Sequence, residues 1–113
     1  MSSLGVIARF EPIRQIAAAS VLVTYVAVGT QLLNACRQYT IYNGTNALLM
    51  FSFDGINDHF VVPSLGGVIN DLTSNKTIDE GLSVPKNAQL WVKQIGVATT
   101  GSVYFTVMYG SQV

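Results

Sequence analysis

Asp54, Asn57, Asp58 and His59 form the densest group of chemically able side chains in the sequence, three oxygen ligands and an imidazole within six residues. Their spacing fits neither the D-x-[DN]-x-[DN]-G loop that wraps calcium nor a zinc pattern. Asp and Asn also dominate turns, because their side chains hydrogen-bond nearby backbone. Turn chemistry is therefore the expected role, with a bound cation or an Asp58–His59 catalytic pair as alternatives. Cys36 is the single cysteine, so no internal disulfide can form. As a nucleophile it would need His59, the single histidine, as its base, whereas a lone buried cysteine is a packing residue. Asp79 and Glu80 are adjacent and in a strand would point to opposite faces. No serine sits in G-x-S-x-G, and Gly66-Gly67 lacks both the phosphate-loop pattern and a following helix. Asn43-Gly44-Thr45 and Asn75-Lys76-Thr77 match the glycosylation acceptor, a common pattern that carries weight only with an export signal. Tyr39, Tyr42, Trp91 and Tyr104 could stack on sugars or bases, although aromatics on strands serve more often in cores and interfaces. The expectation is a protein with no catalytic residues, no cofactor and no metal.

The elements that position these groups read as strands. In Ala47 to Pro63 the apolar runs Leu48–Phe53 and Phe60–Val62 flank a polar turn containing Asp54-Gly55, the pattern of paired antiparallel strands. Further strands are expected at Ser20–Val28, Arg37–Tyr42, Val68–Leu72, Ile78–Val84, Gln89–Ile95 and Ser102–Tyr109, the last with strict period two. With turns at Asn43–Asn46, Pro63–Gly67, Thr73–Lys76, Pro85–Asn87 and Ala98–Gly101, that makes about eight regularly spaced strands and no helix. The fold expected is all-β: one antiparallel β-sandwich or jelly roll over residues 16–113. Residues 1–15, interrupted at Pro12, read as an extended arm or a loosely attached first strand.

Ile16–Val28 is the most apolar stretch but is shorter than a membrane span. A lipoprotein export signal is its rival, with Arg9 and Arg14 as the basic region and Leu33-Asn34-Ala35-Cys36 as the cleavage box. Glu11, the break at Gly29-Thr30-Gln31 and Asn34 speak against it. No membrane partner is expected.

The chain has 113 residues, 50% hydrophobic and 11% charged, with six basic and six acidic side chains. An average domain is roughly 25% charged, so this is a poor free colloid and reads as a subunit covered by neighbours in an assembly, the alternative being a compact monomer with a large core and a Ser/Thr/Asn/Gln surface. Large residues on both faces of the later strands (Trp91 and Ile95, Tyr104 and Met108) point the same way. The scattered Arg9, Arg14, Arg37, Lys76, Lys86 and Lys93 argue against nucleic acid as a partner.

The string Phe51-Ser52-Phe53-Asp54-Gly55-Ile56-Asn57-Asp58-His59-Phe60-Val61-Val62-Pro63 resembles a recurrent segment of small virion proteins of tailed bacteriophages. So do Val92–Ile95 and Thr99–Gly110 near the C-terminus. The likeness spans roughly Ala35 to Gly110 and marks a fold and a virion context. It implies a non-enzymatic capsid decoration protein of the cement or staple type found in short-tailed phages. Such a protein is a small jelly roll on the capsid surface, a dimer or trimer, clamping the major capsid protein. A neck or tail ring or a fibre-adaptor subunit is the alternative within the virion, and a carbohydrate-binding module is the one outside it. The resemblance supplies no catalytic residue.

Overall fold

The computed structural model describes residues 6–72 and 84–112. Nine strands lie within them: β1 Val6–Phe10, β2 Arg14–Ala17, β3 Val26–Ala27, β4 Gln38–Asn43, β5 Leu49–Ser52, β6 Phe60–Val62, β7 Gly67–Asp71, β8 Trp91–Gln94 and β9 Ser102–Gln112. There is no α-helix among the described residues, only a 3-10 turn at Ala18–Ser20. The strands form two antiparallel sheets, β1-β9-β4-β7 with β2 also on β9, and β3-β8-β5-β6.

The pairing is that of one long hairpin rolled up. From the tip outwards, β5 pairs β6, β4 pairs β7, β3 pairs β8 and β1 pairs β9, all antiparallel. The pairs β4–β9 and β5–β8 then join these ladders into two facing sheets. Counting β1 and β2 as one interrupted strand leaves eight, in the order of a jelly roll. The Ala47–Pro63 stretch is the tip of that hairpin.

Period two decides which residues enter the core. Tyr39, Ile41 and Asn43 of β4 and Val103, Phe105 and Val107 of β9 face Leu49, Phe51, Val62 and Val92 of the second sheet, all buried. Tyr39 meets Phe53, Phe60 and Phe105 edge-on, with ring centroids 5.2, 6.4 and 6.0 Å away. Its hydroxyl accepts from Asn70 Nδ2 at 2.6 Å, which makes burial of the phenol tolerable.

One expectation needs correction. Ser20–Val28 is not one strand: the chain takes a 3-10 turn, leaves Leu22 and Val23 exposed, and pairs with β8 only at Val26–Ala27. High β-propensity could not hold a strand where the ladder partner is four residues long. Of the two readings of the N-terminal stretch, an extended arm or a first strand, residues 6–15 follow the second and run along β9 within the first sheet. The expected strand Ile78–Val84 lies outside the described residues except Val84, which bridges to Cys36.

Residues 6–17 carry a bulge. Four steps from Phe10 to Arg14 face three steps from Met108 to Phe105. Pro12, with no N–H to give the ladder, occupies the irregular stretch. Glu11 and Arg14 are three apart and in a regular strand would face opposite ways; the extra residue turns both inward.

At the opposite end of β4, Asn43 is fully buried. Its Nδ2 donates to the Ala47 and Val62 carbonyls, each at 2.9 Å, and its Oδ1 accepts from Thr45 N–H and Oγ1. This amide ties the first sheet to the tip hairpin, and its burial removes Asn43 as a glycosylation acceptor. Beside it, Gly44 donates its N–H to the Ser102 carbonyl at 2.9 Å. Gly101 crosses here at φ +83°, so close that a Cβ would stand 1.9 Å from the Gly44 oxygen.

Candidate functional site

The tip loop between β5 and β6 holds the cluster singled out in the sequence, and its groups are occupied with building the loop. Asp54 Oδ1 accepts from the Ile56 and Asn57 N–H groups, each at 2.8 Å, and from the Ser52 hydroxyl. Oδ2 takes the Asn57 side-chain amide. The Asn57 backbone N–H, the Asn57 amide, the Ile56 N–H and the Ser52 hydroxyl together hold the Asp54 carboxyl well below the ordinary range. Gly55, at φ +73°, lies against the Trp91 ring, where a Cβ would come within 3.0 Å of the indole.

Asp58 has partners of its own. It accepts from the Tyr25 hydroxyl at 2.5 Å and pairs with Lys93 at 2.9 Å, and these two, in that order, lower its pKa. Lys93 also lies over the Tyr25 ring, 4.7 Å from its centroid. His59 Nδ1 accepts the Phe53 N–H at 3.0 Å, which puts the ring proton on Nε2, 3.7 Å from Asp54 Oδ2. Asp54, Asp58 and His59 therefore do not converge on a point. Among the described residues no three His, Cys, Asp or Glu side chains are grouped to hold a metal ion. Cys36 is buried, and burial pushes its thiol up to about 11, the reverse of what a nucleophilic thiolate needs.

The four aromatics of the proposed stacking surface are separated. Tyr39 is core, Trp91 lies under the tip loop, and only Tyr42 and Tyr104 stack on each other, 6.4 Å between centroids. Asp79, Glu80 and Asn75 lie outside the described residues.

Both sheets carry apolar side chains on their outer faces, interleaved on the first with Gln15, Gln38, Thr40, Thr106 and Asp71. On the first, register places Phe10 beside Met108, Ile69 beside Thr40, and Tyr42 beside Tyr104. Phe10 and Ile69 are 66% and 68% exposed. On the second, Met50 stands between Val61 and Lys93, whose charge is already matched by Asp58. Leu48 and Ile95 extend that row, both exposed. Scattered surface hydrophobes are normal; a contiguous row such as Leu48, Met50, Val61 and Ile95 is less so.

The feature that sequence reading missed is the Glu11–Arg14 pair, 5% and 6% exposed. Arg14 Nη2 donates to Glu11 Oε1 at 2.7 Å and to the Gln31 carbonyl at 2.8 Å, while Nε donates to the Thr30 carbonyl at 2.7 Å. Glu11 in turn accepts the Leu33 and Asn34 N–H groups and the Asn34 amide. The irregular segment around residues 30–34 has no strand partner for these backbone groups, and the two side chains supply one. Burial pushes the Glu11 carboxyl upward, but the hydrogen bonds from Arg14, Asn34 and Leu33 and the Arg14 charge outweigh it and leave the pKa lowered. Gly29 is required beside them: at φ +66°, its Cβ would come within 2.9 Å of the Arg14 stem. Arg14 Nη1 is buried without a hydrogen-bond partner among the described residues. A groove of about 270 Å³ runs past Arg14, between Pro12, Ile13 and Gln15 on one side and Gly29, Thr30 and Leu33 on the other. The signal available beforehand was a Glu and an Arg flanking a proline in a chain with only twelve formal charges.

No family model, curated protein or solved structure matches this chain. No helix among the described residues is long and apolar enough to cross a membrane.

Proposed function

We propose that this chain is a non-enzymatic structural subunit of a bacteriophage virion, a capsid decoration protein that binds and stabilises the lattice of the major capsid protein. The observation that carries the reading is the apolar row Leu48, Met50, Val61 and Ile95 on the outer face of the second sheet, with Phe10, Tyr42 and Ile69 exposed on that of the first. A domain of this size solvates one face of each sheet if it works alone, whereas a cement subunit needs apolar area for seams between neighbours. The segments that resemble phage virion proteins fall on the tip hairpin β5–β6 and on β8 and β9, so the likeness follows the framework of the roll. The chemically able groups of the tip loop are engaged within the loop or with Tyr25 and Lys93, which suits a structural part.

The mechanism is mass action. A subunit that binds only the mature lattice stabilises that state by RT ln(1 + [L]/Kd), and many weak seam contacts add across the shell. The subunit acts as a homo-oligomer, a dimer or trimer. Particles lacking the chain are expected to release their contents at a lower temperature than complete ones, measured by dye access to the packaged nucleic acid during heating. Equal release temperatures would remove the cement role. A neck or tail ring built from the same sandwich is the second reading, favoured if the chain maps to one vertex.

A further inference from the structure

His59 closes the tip loop through both of its ring nitrogens. Nδ1 accepts the Phe53 N–H at 3.0 Å, and Nε2 stands 3.7 Å from Asp54 Oδ2. The first contact exists only while the ring is neutral, since an imidazolium carries a hydrogen on each nitrogen and accepts nothing. The second strengthens on protonation, because the ring then meets a carboxylate as a cation. Asp54 Oδ2 has room for it: among the described residues it takes one hydrogen bond, from the Asn57 amide, while the other donors go to Oδ1. The imidazole is 36% exposed, so water can deliver the proton directly. The other titratable groups around the ring are Asp54 itself and Asp58, which is matched by Lys93 of β8 and by the Tyr25 hydroxyl ahead of β3. Both carboxyls are held below their ordinary range and the Tyr25 phenol above its own. None of the three changes charge between about pH 5 and 8, where histidine does.

We propose that His59 is a proton-operated latch on the tip loop. Neutral, it bolts the loop to Phe53 at the end of β5; protonated, it releases the Phe53 N–H and moves onto Asp54. Two N–H donors facing each other at 3.0 Å repel, so the ring has to turn. The base of the loop stays shut, because the His59 backbone N–H donates to the Phe51 carbonyl at 3.0 Å, a bond that does not involve the ring. The movement is therefore confined to residues 53–58 and their contact with Trp91, against whose indole Gly55 lies. Trp91 is the single tryptophan, so that contact carries its own signal. The latch does not depend on the shell-binding reading; it gives the tip of the roll two conformations selected by acidity.

The test is NMR of the isotope-labelled full chain at about pH 8 and about pH 5, on either side of the histidine range. At the higher pH a coupling across the Phe53 N–H···Nδ1 bond is expected, with ring nitrogen shifts of the tautomer protonated on Nε2. At the lower pH the coupling should be gone. The Phe53 amide should then exchange with water about tenfold faster than the pH change itself accounts for, the loss of one hydrogen bond. A coupling absent at the higher pH, or surviving at the lower, would overturn the latch. His59→Asn gives the second measurement, since its amide oxygen stands where Nδ1 stood and takes up no proton in this range. Trp91 emission should shift between the two pH values in the wild type and stay constant in the variant. A shift of equal size in both proteins would assign it to another group, and no shift in the wild type would mean a loop that stays closed; either contradicts the proposal. If the variant fails to fold, the wild-type coupling decides alone.

Discussion

Arg14→Met should cost the fold about 3–5 kcal/mol, because removing one member of a buried ion pair leaves the other charged and uncompensated. Methionine keeps most of the stem that packs against Gly29 but abandons Glu11 and the Thr30 and Gln31 carbonyls. Against a total stability of about 5–15 kcal/mol for a small domain, that is a large share. The measurement is the urea unfolding midpoint of purified protein, and a loss below about 1 kcal/mol would mean that the pair is solvated. Glu11→Gln combined with Arg14→Met should recover part of the loss, since no isolated charge remains. The pair also sets an acid limb. The folded Glu11 pKa is depressed below its ordinary value of 4.5, so its contribution is complete above that value and disappears as the pH falls through the lower folded value. Asp54 and Asp58 are depressed too and lose stability in the same direction. Glu11's share is therefore the amount by which Glu11→Gln flattens the decline below pH 4.5.

Gly101→Ala should be comparably damaging for a different reason. The position is in the left-handed region at φ +83°, and the added methyl would be placed 1.9 Å from the Gly44 carbonyl oxygen. That neighbour is backbone, fixed by the Gly44–Ser102 hydrogen bond and by the bond from Ala18 N–H to the Gly101 carbonyl. No side chain can swing aside, so the Asn43–Asn46 turn and the start of β9 must separate. The expected loss is at least about 3 kcal/mol, the upper range of local strain. Gly96→Ala is the control, since its Cβ would meet the Ala47 methyl at an ordinary 3.6 Å; it should change stability by no more than about 0.5 kcal/mol. Equal midpoints for the two variants would mean that Gly44 and Gly101 do not cross as described.

Much of the fold was legible because period-two patterning and turn residues act locally. Val103, Phe105 and Val107 alternate cleanly against Tyr104, Thr106 and Met108, and β9 follows that alternation. The Asp-Gly turn named the tip of the roll, and the local hydrogen-bonding habit of Asp and Asn foretold how Asp54 is used. Ser20–Val28 misled because propensity describes a residue's fit to a sheet, while a strand needs a continuous ladder, and β8 pairs in register with Val26–Ala27 and otherwise reaches the stretch through a single bond from Gln94 N–H to the Leu22 carbonyl. The Glu11–Arg14 pair was hidden by the bulge: with Pro12 between them, three-residue spacing reads as opposite faces or as no pattern at all. The unpartnered Nη1 and the groove have no sequence signature, because segments about 17 residues apart create them.

The copy number of this chain in purified particles, counted by quantitative mass spectrometry against the major shell protein, decides whether it is a cement protein. A decoration subunit spread over the lattice should stand in a ratio near one, or another simple large fraction, to the shell protein. About a dozen copies per particle, the count of a symmetric ring at one vertex, would place it in the neck or tail instead, and absence from the particle would contradict the virion reading altogether.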